Sequence, residues 1–146
     1  PQGIEQLSRS QTAAVLLPGV SFFLMMDKKA PARQLLEAGA IVALASDFNP
    51  GSSHLISMLF VLQLGVFTLR LSVEEAINAC TINAAYAIDR HQNCGSLQPG
   101  KDFDLILCEI PSYLYLAYEL GRNPVKTVIK HGRVVVEDSR PTVDFG

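Results

Sequence analysis

The chain has 146 residues, 49% of them hydrophobic, which is enough to fill the core of one ordinary domain. Its formal net charge of -2 and pI near 5.9 exclude a charge-driven nucleic-acid or anionic-membrane partner. The three cysteines, Cys80, Cys94 and Cys108, form no CxxC pair, which argues against a disulfide frame or a thiolate zinc site and for reduced thiols in the cytoplasm.

The chain opens on "PQGIEQL", with no basic segment leading into an apolar run, so no signal peptide is expected, and the opening reads as part of something longer. "TAAVLLPG" (Thr12 to Gly19) predicts a buried strand closed by a Pro-Gly turn. "APARQLLEAGA" predicts a helix with Leu35 and Leu36 inward and Gly39 at its C-terminal end. "IVALAS" lacks polar alternation and predicts a second strand covered on both faces. Two such strands joined by a helix make a parallel βαβ unit.

A further helix is expected to start just after Gly51, with Ser52 or Ser53 as N-cap, and to run to about Arg70. No charge falls between Leu55 and Leu69, but Gln63, Gly65 and Thr68 interrupt the run, and a membrane span needs about 20 apolar residues. It therefore reads as a buried helix, not a span. Ser72 and Glu75 have capping-box spacing, and "TINAAYAI" continues the helical pattern to Ile88. Gly95, Pro99 and Gly100 then break the periodicity. Beyond them "FDLILCE" predicts a strand, "SYLYLAYELG" a short helix, and "VKTVIKHGRVVVED" a hairpin turning at His131-Gly132. These shifts divide the chain near residue 90 into an α/β part, 1–90, and a small β-rich part, 91–146. A parallel pair of only two strands leaves strand edges unpaired, so open strand edges, an exposed apolar helix and self-association are expected.

Chemistry is expected where a parallel strand gives way to a loop. Asp47 stands at that place after "IVALA", followed by Asn49, Gly51 and Ser52. On position alone a catalytic carboxylate and a simple turn or helix cap are equally good readings. The three histidines are poor ligands by context: His131 in a hairpin turn, His91 in a polar loop, His54 alone in the first turn of the expected helix. Asp102 and Asp104 read as turn and edge residues, and Glu74 and Glu75 as first-turn helix acids. Tyr113, Tyr115 and Tyr118 read as packing residues, and Ser46 lacks the setting of a nucleophilic serine.

"ALASDFNPGSS", "EEAINACTINAAYAI" and "GSLQPGKDFDLIL" together resemble the C-terminal third of metal-dependent amidohydrolases. Within that superfamily, "SDFNPGSS" and the trailing "YELGRNPVKTVIKHGRVV" are most similar to the imidazolonepropionases, over about Gly3 to Val136. The resemblance implies the C-terminal part of a (β/α)8 barrel plus part of a small β-sandwich domain. It also implies hydrolysis of 4-imidazolone-5-propanoate to N-formimidoyl-L-glutamate with one zinc or iron ion, in a cytoplasmic homodimer with no nucleic-acid or membrane partner. By the same resemblance Asp47 is the metal-ligating carboxylate, and Asn49, Gly51 and Ser52 contact the substrate through side chains and N–H groups. The other metal ligands of that family lie in stretches this sequence does not contain, so the chain alone is expected to be inactive. Another deaminase or cyclic amidase of the superfamily, or a non-catalytic module docking through helix 55–69, remain the alternatives.

Overall fold

A computed structural model describes residues 2–142. After a first helix α1 (Gln2–Ser8), the expected βαβ unit is present: β1 (Ala14–Leu16) and β2 (Val42–Leu44) pair in parallel with Ala14 opposite Val42. Between them run α2 (Pro18–Phe23) and α3 (Ala32–Glu37). The Pro-Gly pair does not close a turn; it starts α2, with Pro at the helix start, where its missing N–H costs no hydrogen bond. Gly19 fits there because a Cβ would stand 2.9 Å from Leu55 Cδ2 and 3.3 Å from Ser53 Oγ. Helix α3 ends as expected at Gly39, whose φ of +82° suits a residue without Cβ. The Ala40 and Gly39 N–H groups close the end by donating to Leu35 and Leu36 carbonyls. Leu35 is buried, while Leu36 is half-buried at the core margin.

Helices α4 (Met58–Leu69), α5 (Val73–Cys80) and α6 (Ile82–Ala87) follow and all pack against β2. The expected helix start at Ser52 or Ser53 is corrected: Ser57 is the N-cap, accepting the Phe60 N–H at 3.2 Å, and residues 50–57 form a turn and an extended segment. At the other end Arg70 takes a left-handed conformation and closes α4. The capping box at Ser72 and Glu75 is formed in both directions. The single helix expected to Ile88 is instead two, broken at Thr81 (φ −122°, ψ −95°), whose hydroxyl donates back to the Ile77 carbonyl at 2.7 Å.

The core lies where β2, α3, α4 and α5 meet, around Leu35, Val42, Leu44, Val61, Leu62 and Ala76. Strand β2 is buried along its length, whereas Val15 of β1 is 46% exposed. In this two-stranded sheet neither strand has a second partner among the described residues, so the expected open edges are present on both sides. The apolar helix is enclosed by the chain itself from Val61 through Gly65 but leaves Met58 and Phe67 exposed, so the expectation that it stands exposed holds only towards its ends. No helix among the described residues is long and apolar enough to cross a membrane.

The remaining elements are β3 (Leu105–Cys108), α7 (Tyr115–Tyr118), β4 (Val125–Lys130), β5 (Arg133–Glu137) and β6 (Arg140–Pro141). The four strands form one antiparallel sheet in the order β3-β4-β5-β6. His131 and Gly132 make the predicted two-residue turn with φ of 48° and 74°, a pairing of left-handed residues that matches strand twist. Gln63, 2% exposed in α4, ties this part to the first by donating to the Leu116 and Glu119 carbonyls at 2.9 and 3.2 Å. A Gln63→Leu variant keeps the volume but leaves both carbonyls without their donor. Its expected cost is about 1–3 kcal/mol, read as a lower urea midpoint with unchanged slope.

Ion pairs on the first part have a pH consequence. Arg33 on α3 makes a two-pronged contact with Glu75, at 2.9 and 2.7 Å, and holds that carboxyl below its ordinary value of 4.5. Tyr113 donates to Glu74 at 2.5 Å with the same effect on Glu74. A lowered folded-state value means that the ionised form is favoured by folding. The stabilisation is present above the unfolded value and fades as pH falls through the lowered one. Unfolding by urea between pH 7 and pH 3 is expected to show stability falling below about pH 4.5, with a shallower fall in Glu75→Gln.

Candidate functional site

Strand β2 ends at Leu44, and Asp47 stands three positions beyond its end, at the carboxyl end of the parallel pair, as the sequence predicts. Asp47 is exposed and has φ +48°, a left-handed conformation that Asp and Asn accept more readily than other residues with a Cβ. The loop from Ser46 to His54 closes on itself. The Asn49 N–H donates to the Ser53 carbonyl at 2.8 Å, and buried Ser53 donates through Oγ to the Ser46 carbonyl at 3.0 Å. His54 Nε2 lies 3.0 Å from the Pro50 carbonyl, and its ring stands 5.3 Å from that of Phe23. His54 is thus in the extended segment ahead of α4, not in a helical first turn.

Asn49 is the hub of the loop. Its Oδ1 accepts the N–H groups of Gly51 and Ser52, each at 2.8 Å. Its Nδ2 donates to the Asp47 carbonyl at 2.6 Å, to Asp47 Oδ2 at 3.2 Å and to Ser52 Oγ at 3.0 Å. The structure therefore gathers Asp47, Asn49, Gly51 and Ser52 into one loop. It does not place a helix N-terminus at Gly51, and the Gly51 and Ser52 N–H groups already have an acceptor.

Asp47 suits the part of one metal ligand. Its Oδ2 is held by Asn49, while Oδ1 receives no hydrogen bond among the described residues, and ligating carboxylates are characteristically hydrogen-bonded in this way. One carboxylate is a corner of a metal centre and not the whole, since catalytic sites use three protein ligands or more. Among the described residues, Asp102, Asp104 and His131 are the only three potential ligand side chains that come together. That group is a hairpin tether. Lys130 pairs with Asp104, and the His131 N–H donates to Asp104 Oδ1 at 2.7 Å, which holds the Asp104 carboxyl below its ordinary value. His91 lies apart from both, its ring 4.9 Å from that of Tyr86.

A sequence profile described as "Amidohydrolase family" matches residues 25–135. The chain belongs to the amidohydrolase family. Curated relatives include imidazolonepropionases from Geobacillus sp. (strain WCH70), 46% identical over 139 residues, and from Shouchella clausii, 47% identical over 137. One from Treponema denticola is 42% identical over 139 residues. These alignments cover 94–95% of this amidohydrolase chain but only 30–34% of the relatives, so the chain spans about a third of their length. Among solved structures, an adenosine deaminase from Xanthomonas campestris with bound zinc superposes with TM-score 0.87 at 19% identity, covering 98% of this chain and 36% of that one. A mutant atrazine chlorohydrolase from Arthrobacter aurescens TC1, complexed with zinc and atraton, gives TM-score 0.84 at 21% identity over 99% and 36%. At such identities the likeness is one of fold. It bears out the α/β amidohydrolase-type architecture.

Proposed function

We propose that this chain is a working part of a metal-dependent hydrolase that opens the cyclic amide of 4-imidazolone-5-propanoate to N-formimidoyl-L-glutamate. Asp47 supplies one ligand to a zinc or iron ion, and Asn49, Gly51 and Ser52 border the substrate. In this reading residues 1–90 complete a (β/α)8 barrel and residues 91–146 belong to its small β-sandwich domain, in a cytoplasmic homodimer. The observation that carries it is Asp47, held at the carboxyl end of β2 with one oxygen open, in a chain 46% identical to an imidazolonepropionase. The adenosine deaminase likeness favours a deaminase only at the level of fold, at 19% identity. The enclosure of Val61 to Gly65 within the chain counts against a docking module built on that helix.

A bound metal ion supplies the Lewis acidity that lets water attack an amide carbon at neutral pH. The chain's own contribution is positional: it presents a carboxylate from a loop closed by its own hydrogen bonds.

The test is reconstitution. The chain is co-expressed with the portion of the Geobacillus relative that lies outside the matched 139 residues, and zinc or iron is supplied. Turnover of imidazolone propanoate is expected from the co-purified pair and from neither part alone. A co-eluting pair that binds metal but leaves imidazolone untouched, or prefers adenosine, overturns the assignment. So does the chain alone turning over at the rate of the pair.

A further inference from the structure

We infer that the exposed apolar run at the end of α2 is the surface through which two copies of this chain meet; this rests on the homodimer of the proposed function and names its interface. Five consecutive apolar residues, Phe22 to Met26, are exposed, Met25 to 88%. The Phe22 ring meets that of Phe60 edge-on at 5.7 Å, which sets the end of α2 against the start of α4. There Ile56, 79% exposed, and Met58 are uncovered as well. At about 200 Å² for each side chain when fully exposed, the seven leave about 800 Å² uncovered. The largest apolar patch on a monomer is typically about 300–600 Å², whereas one partner of a standard interface contributes about 800 Å². The patch has the size of half a dimer interface.

The run is also held in place. The Met25 N–H donates to the Phe22 carbonyl at 3.1 Å and the Met26 N–H to the Ser21 carbonyl at 2.9 Å, while the Lys29 ammonium donates to the Met26 carbonyl. Met25 has φ +49°, a left-handed backbone that a residue with a Cβ adopts at a cost. A surface fixed in this way loses little freedom when it is covered. Its rim points to a second copy. Asp27, Lys28 and Lys29 follow the run directly and are exposed, and Asp27 and Lys28 make no ion pair among the described residues. Lysine and aspartate are types that folded interiors exclude, so this is not a face built for burial within one subunit. A two-fold axis brings residue i of one copy to residue j of the other, and j to i. The apolar run then meets itself, and Asp27 of each copy meets a lysine of the other. A longer chain, by contrast, adds strands at the open edges of β1 and β2, and the run belongs to neither strand.

Two sets of variants test this in the reconstituted pair. Met25→Asp with Ile56→Asp puts like charges into both halves of the interface. Aspartate accepts the left-handed backbone at position 25, and both native side chains are largely bare, so the melting temperature is expected to hold. In sedimentation, the wild type is expected as two copies of each part and the double variant as one of each, its dissociation constant raised about 100-fold or more. Asp27→Lys alone sets lysine against lysine at two symmetry-related contacts and is expected to weaken the dimer about tenfold. Adding Lys28→Asp is expected to restore it. A wild-type pair that stays one of each, or a dimer that the apolar variant leaves whole, overturns the inference. So does an apolar variant that no longer binds the Geobacillus portion, because the run then lies inside one enzyme, and so does a charge swap that fails to restore the dimer. On the chain alone, self-association is expected to fall in the apolar variant, and association left unchanged overturns the inference whatever the pair does. A dimer split by these variants in a pair without turnover refutes the hydrolase reading instead and leaves the interface standing.

Discussion

Replacing Asp47 by Asn in the reconstituted pair is expected to lower kcat/KM by about 10³-fold or more, the equivalent of about 4 kcal/mol of transition-state stabilisation, while leaving the fold intact. The substitution is chosen for its backbone. Asp47 has φ +48°, and Asn is one of the few side chains that accept this region, so the loop loses no conformational stability. The amide oxygen also preserves an acceptor for Asn49 Nδ2. What disappears is the negative charge a metal ion needs. Asp47→Ala would be a poorer experiment, because backbone strain would be added to the loss of the ligand and the two could not be separated. The expected pattern is metal content falling with activity at an unchanged melting temperature. Full metal occupancy and activity in Asp47→Asn would remove the carboxylate from the centre and the proposed function with it.

The elements that depend on local pattern were readable from sequence. An unbroken apolar run gave β2, the Ser72 and Glu75 spacing gave the head of α5, and His131-Gly132 gave a left-handed hairpin turn. The start of α4 was not readable. Ser52, Ser53 and Ser57 are equally good N-caps by type, and the choice falls to tertiary contacts: Ser53 is drawn into a bond with the Ser46 carbonyl, which leaves Ser57 to cap. Pro18-Gly19 was ambiguous for a similar reason, since a turn and a helix start both favour proline, and the close approach of Ser53 and Leu55 is invisible along the chain. In the site, the location of Asp47 followed from the strand end, but the work of Asn49 did not. An amide's donors and acceptor can serve many partners, and its bonds to Asp47, Gly51 and Ser52 exist only once the loop has closed. The tether among Asp102, Asp104, Lys130 and His131 was equally hidden, because it joins residues on either side of β3 and β4. The one available signal was an acid just before a strand whose partner strand ends in Lys-His.

The break between α5 and α6 predicts the largest stability effect. Gly95 packs into the notch at Thr81 with φ +88°. A Cβ there would lie 2.8 Å from Ala85 Cβ, 3.0 Å from Ile82 Cα and 3.1 Å from the Thr81 carbonyl oxygen. Two of these are backbone atoms, so no flexible side chain can swing aside to make room. Gly95→Ala therefore adds overlap to the cost of a left-handed backbone, for a total of about 3 kcal/mol. For a domain of this size that corresponds to a melting temperature lower by roughly 6–12 °C. Gly100→Ala isolates the first contribution, because Gly100 has nearly the same φ, +90°, but nothing within 4 Å of its Cβ position. It is expected to cost about 1 kcal/mol, so the difference between the two variants measures the overlap. Equal losses in urea unfolding would show that α5 and α6 shift apart at Thr81 to accommodate a methyl group, making the helix break a compliant joint. Unequal losses would mark it as a fixed corner that sets how α6 lies against β2, where Asn83 donates to the Val42 carbonyl at 2.8 Å, and so holds the strand that carries Asp47.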